Sequence, residues 1–113
     1  MEIRCETDLF GVLDLVHDRW FNLDQVKFDR ENGEVMIFLG EKRKGPFTEK
    51  VLKIDGVSDL KINDEARIGI YDFCEIVPDP SSASLRITSG FPMEIILKVR
   101  QGCVISVLKP KRT

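Results

Sequence analysis

One histidine, one tryptophan and three cysteines are the whole stock of several side-chain types that often carry chemistry in these 113 residues. Cys5, Cys74 and Cys103 stand far apart and are odd in number, which argues against a disulfide framework. No two have the C-x2-4-C spacing of a structural zinc site, and a lone histidine cannot complete one. They are expected to stay reduced and to act as small apolar residues. No apolar run approaches the length of a membrane span. The opening residues, MEIRCETD, lack the apolar centre of a signal peptide, so a cytoplasmic protein is expected. A G-x-S-x-G elbow, an H-E-x-x-H pair and a phosphate-cradling glycine loop are also missing. No pattern implies a cofactor.

What is present is ordinary soluble-protein composition, 42% hydrophobic and 32% charged. The length suits one domain, residues 1–113, large enough for a core without staples. A net charge of −2 hides an uneven spread. Met1 to Glu41 carries ten acids against four bases, while Pro80 to Thr113 carries one acid against six bases. Such asymmetry points to an interaction surface, and the acid-rich first half to a basic partner. Lys42-Arg43-Lys44 and Lys109-Lys111-Arg112 are basic clusters that could neutralise phosphates. A pI near 5.4 and the lack of any nucleic-acid-binding aromatic signature argue against that use.

From Asn22 onward the apolar period is two, the mark of strands. In VKFDRENGEVMIFL, Asn32-Gly33 predicts a two-residue hairpin turn that pairs Arg30 with Val35, Phe28 with Ile37 and Val26 with Leu39. Phe28, Ile37, Val26 and Leu39 then share the core face. A loop over GEKRKGPF follows, then KVLKID, a turn at Gly56, and VSDLKIND. A strand from Ile68 to Val77 slips phase at Tyr71 to Cys74, which predicts a bulge or a strand covered on both faces. PDPSS reads as a loop and SLRITS as a short strand. The last unit, MEIILKVRQGCVISVLK, reads as a second hairpin turning at Gln101-Gly102. It would pair Val99 with Val104, Leu97 with Ser106, Ile95 with Leu108, Ile96 with Val107 and Glu94 with Lys109. The stretch TDLFGVLDLVHD predicts a short helix capped by Thr7 or Asp8, with Leu9, Val12, Leu13 and Val16 on one stripe. The fold class is therefore all-β and mainly antiparallel. It is expected to be a single sandwich or partly open barrel of seven to eight short strands in meander order, with a short N-terminal helix.

The stretch LVHDRWF concentrates the scarce residues. Acid–base work by His17 needs a group that orients the ring. Asp18 is adjacent, but on an extended segment neighbours point to opposite faces. A metal held by His17 with Asp14, Asp18 or Asp24 is the enzymatic alternative. The simpler expectation is that His17 and Asp18 satisfy backbone groups where the chain bends, while Trp20 or Phe21 closes the core. Cys74 lies among acids that would raise its thiol pKa, which argues against an activated thiolate. No catalytic and no metal-binding residue is assigned.

VHDRWF, VKFDRENGEVMIFL, IGIYDFCEIVPDP and LRIT together resemble a loose group of small bacterial all-β proteins. In that group an apolar-His-Asp step precedes the first strand, followed by a D-x-x-x-G hairpin and a late apolar-Asp-apolar strand. Some of its members are thought to be immunity proteins that bind and block a toxin. Here Arg19 to Gln25 separate His17-Asp18 from the alternating strand, a longer approach than the group's pattern. The resemblance implies a bacterial source and a non-enzymatic binding role. On this reading Arg19, Trp20, Asp24 and Glu41 form the expected binding surface for a protein partner. The alternative is a self-associating protein whose homo-oligomer interface uses Met36, Phe38, Ile96 and Val107.

Overall fold

The structure is a computed structural model that describes residues 9–79 and 81–108. The expected caps Thr7 and Asp8 and the basic cluster Lys109-Lys111-Arg112 lie outside the described residues, as does the Lys109 partner proposed for Glu94. Among the described residues the regular structure is antiparallel β except for one helix, α1 (Leu9–Val16), and a 3-10 turn at Leu23–Gln25. The strands are β1 (Trp20–Asn22), β2 (Lys27–Asp29), β3 (Glu34–Leu39), β4 (Lys50–Asn63), β5 (Ile70–Asp72), β6 (Glu75–Asp79), β7 (Ser84–Thr88) and β8 (Glu94–Leu108).

Six strands form one sheet in the order β2-β3-β4-β8-β7-β6, and β1 and β5 form a second, two-stranded sheet. The expected meander is therefore corrected: β8 inserts between β4 and β7. The small sheet bridges the large one. Trp20 exchanges backbone hydrogen bonds with Gly40, just past β3, and the Cys74 N–H donates to the Thr88 carbonyl of β7 at 2.9 Å. The result is a partly closed barrel wall. α1 packs on it through buried Val12 and Val16, with Leu13 beside them, as the stripe predicted.

The first hairpin forms with a different turn. Asp29 pairs with Glu34, Phe28 with Val35 and Lys27 with Met36, so the loop is the four residues Arg30 to Gly33. Only Gly33 takes positive φ, +66°. The Asp29 carboxylate accepts the Glu31 and Asn32 N–H groups and the Asn32 amide, which favours this wider loop. The register moves by two residues, so every side chain keeps its face. Val35, Ile37 and Leu39 are buried, with Val26 and Phe28 packed against them.

The two later turns do not exist as turns. Lys50 to Asn63 runs as one strand, and Glu94 to Leu108 as another. They pair with each other, from Val51 opposite Leu108 to Asn63 opposite Glu94. Gly56 and the Gln101-Gly102 pair mark facing irregularities in that ladder, where the register shifts between Asp55 and Asp59. A bulge bends a strand without reversing it. Because β8 never reverses, Ile95, Leu97, Val99, Cys103 and Ile105 all point to the core. Val104 and Leu108 point away, 47% and 44% exposed, in place of the core partners expected of them.

The segment Ile68–Val77 divides at Phe73-Cys74. β5 pairs with β1 and β6 with β7, so the phase slip is a crossing between sheets. Tyr71 and Phe73 both end up buried: Phe73 meets Phe21 edge-on, and Tyr71 lies tilted against Phe21 and edge-on to Phe91. The Tyr71 hydroxyl donates to Asp64 and accepts the Ile68 N–H at 3.1 Å. Burial, reinforced by the Asp64 hydrogen bond, lifts this phenol above its usual range and keeps it a neutral donor.

Candidate interaction corner

α1 ends at His17 and Asp18. Asp18 takes φ of 65°, a left-handed conformation that aspartate tolerates better than most residues. Its N–H donates to the Phe73 carbonyl at 3.0 Å, and the Arg19 N–H to the Val16 carbonyl at 3.0 Å. The segment is a helix cap, not extended chain, so the two side chains meet: His17 Nδ1 lies 3.1 Å from Asp18 Oδ2. Both are largely exposed, and among the described residues no third group orients the ring. Among the described residues no set of three histidine, cysteine or acidic side chains is placed to hold a metal.

Beyond the cap, β1 alternates. Phe21 is fully buried, so Trp20 and Asn22 face outward. Gly40 meets Trp20 through a pair of backbone hydrogen bonds of 2.8 and 2.9 Å. A Cβ on Gly40 would stand 2.3 Å from the Pro46 carbonyl oxygen, so only glycine lets the following loop fold back this closely. That return brings the Arg43 guanidinium over the Trp20 ring at 5.7 Å and over the Phe91 ring at 5.8 Å. It also brings Glu49 to Arg19, with Nε 2.6 Å from Oε1 and both groups about a quarter to a third exposed. The Lys50 ammonium lies 3.8 Å from Glu49 and donates to the Leu15 carbonyl at 2.8 Å, a cation at a helix C-terminus.

Burial works against the Glu49 charge. Hydrogen bonds with Arg19 and Glu41, and the charges of Arg19 and Lys50, outweigh it and hold the carboxyl below its ordinary range. Three of the four expected residues, Arg19, Trp20 and Glu41, thus belong to one corner. Asp24 does not. It is exposed on the 3-10 turn, where its N–H is capped by the Asn22 side chain at 3.0 Å. Glu49, Arg43, Lys50 and Phe91 complete the corner. Of these only Arg43 had a signal in the sequence, the charged loop GEKRKGPF; Glu49 and Lys50 follow that loop and Phe91 lies on a separate turn.

Other candidates separate. The Cys74 thiol is pushed up by burial and by the charges of Glu75, Asp72 and Asp18, as its acidic neighbours suggested. Met36, Phe38 and Ile96 are half-buried on the outer face of the large sheet. Val107 is not with them: it aligns with Leu52 and packs against the core, because the hairpin that would have turned it outward does not form. Two open depressions, about 510 and 350 Å³, flank Arg86 on the same sheet. The first is lined by Phe91, Met93 and Glu94 among others, the second by Pro78, Ser84 and Ile96 among others.

No family model, no curated protein and no solved structure matches this chain.

Proposed function

We propose that this protein is a non-enzymatic protein-binding module that docks through the corner around Trp20. The observation that carries the reading is the Arg43 guanidinium placed over two half-buried aromatic rings, 5.7 Å from Trp20 and 5.8 Å from Phe91. Tryptophan and arginine dominate binding hot spots because they offer large contact area on a few held rotamers. Here the Arg19–Glu49 pair and the Gly40 bridge fix the backbone beneath them, so little ordering cost remains at association. Exposed Asp18, directly before Arg19, suits the basic partner expected from the acid-rich first half. Lys42 to Lys44 at its other end call for an acidic group on the same partner. Blocking of a toxin, the role implied by the resemblance to immunity proteins, is one form that such docking takes.

The test is affinity capture from a lysate of the cell that makes the protein, comparing wild type with a folded Trp20→Ala, Arg43→Ala variant. Arg43 is the better choice than Arg19, whose removal would strand Glu49 in a partly buried site. One dominant partner lost in the variant supports the reading. A partner retained by both sinks it.

A further inference from the structure

β4 is fourteen residues long, but β3 covers only Lys50 to Asp55. From Val57 onward β8 lies on one side. On the other side the Val57 N–H donates to the Gly33 carbonyl at 2.8 Å, and no backbone hydrogen bond from Ser58 to Asn63 follows among the described residues. An antiparallel strand aims alternate N–H and C=O groups away from its neighbour, so this stretch is an open ladder. The outer strands of the sheet are blunted. β2 is three residues long, and β6 carries Pro78, which cannot donate. The β4 edge has neither device; a register shift between Val57 and Asp59 marks its start, beyond which the pairing with β8 is regular to Asn63, and Ser58, Asp59, Lys61 and Ile62 are exposed.

We propose that Ser58 to Asn63 pairs antiparallel with the same segment of a second copy, about a two-fold axis at Leu60. The register follows from the pleat and from charge. Leu60 packs toward the core and Ile62 aligns with buried Ile95, whereas Asp59 and Lys61 lie on the opposite face. Keeping both faces continuous across the joint requires the axis to pass through a residue, because a one-residue slip would exchange the faces. An axis at Asp59 would set two aspartates opposite each other, and one at Lys61 two lysines. An axis at Leu60 sets each Asp59 opposite the other copy's Lys61, twice, with the leucines together at the centre. Lys61 makes no ion pair within its own copy among the described residues; Asp59 lies 3.4 Å from the Arg30 guanidinium of its own copy through one carboxylate oxygen, and its other oxygen is the one left for Lys61 of the second copy. Charges that guard an edge usually repel a second strand; these alternate in sign so that the same strand attracts itself. The joint is independent of the Trp20 corner.

Sedimentation equilibrium on the full chain, from about 10 µM to about 1 mM, tests the proposal. The wild type is expected to dimerise within that range, since a single edge is a small interface. Lys61→Asp turns both cross-strand pairs repulsive and should weaken the dimer roughly tenfold. Lys61→Gln, which removes the attraction alone, should weaken it several-fold and serves if the aspartate variant does not fold. Exchanging the charges in Asp59→Lys, Lys61→Asp should dimerise more tightly than Lys61→Asp alone, short of the wild type because it also gives up the Asp59–Arg30 pair. A wild type that stays monomeric throughout overturns the proposal. So does a dimer indifferent to both Lys61 variants, or a double exchange that dimerises no better than Lys61→Asp.

Discussion

Gly56 of β4 lies so close against Cys103 of β8 that a Cβ on the glycine would stand 3.1 Å from the Cys103 Cα. Its φ of +84° is one that residues with a side chain rarely adopt. At the middle of the longest strand pair, close approach and left-handed backbone coincide.

Gly56→Ala should therefore destabilise the fold by about 1–3 kcal/mol. Gly11→Ala is the control with the opposite sign: nothing lies near its Cβ position on the exposed side of α1, and alanine should stabilise by roughly 0.5–1 kcal/mol. Urea unfolding of both variants decides the matter. Equal effects would mean that the ladder at Gly56 is not under this constraint.

Phe21 is fully buried, with ring centroids 6.4 Å from Tyr71 and 6.0 Å from Phe73. Phe21→Ala should cost about 3–5 kcal/mol, and Phe21→Leu, which keeps most of the volume, about 1–2 kcal/mol. A cost under about 1 kcal/mol for the alanine, measured by denaturant midpoint, would show that the small sheet does not share the main core.

The Arg19–Glu49 pair sets a pH dependence. The folded carboxyl sits below the 4.5 of an unperturbed glutamate, for the reasons given above. A lowered pKa contributes stability above the unfolded value, lost as pH falls through the folded one. The melting temperature of wild type should exceed that of Glu49→Gln at neutral pH, and the gap should close below pH 4.5. A gap that does not change with pH would remove the ion pair from the account.

Periodicity and turn chemistry carried the sequence reading to the correct class, since alternating apolar residues have one economical use in a chain of this length. They placed Val12 and Val16 under the helix and Ile37 and Leu39 in the core. Asn32-Gly33 located the first hairpin, but its Asp29 neighbour had enough hydrogen-bonding capacity to select a wider loop. Gly56 and Gln101-Gly102 misled for one reason: a glycine that relieves a bulge has the same local signature as one that makes a turn. The distinguishing sign lay further along. Ile95, Leu97, Val99, Cys103 and Ile105 keep one odd-numbered phase across Gly102, as an uninterrupted strand does. At the corner, Arg19, Trp20 and Glu41 were legible as interface residue types. Arg43 and Glu49 were not, because only the fold-back after Gly40 brings them there.

The place of β8 also has a consequence for how the chain folds. β8 follows β6 and β7 in the sequence yet lies in the middle of the large sheet, between β4 and the β6–β7 hairpin. Without it, β4 and β7 have no strand in common. Refolding therefore waits on one insertion that pairs β8 with both neighbours, and the many contacts distant in sequence that it makes should keep that step slow.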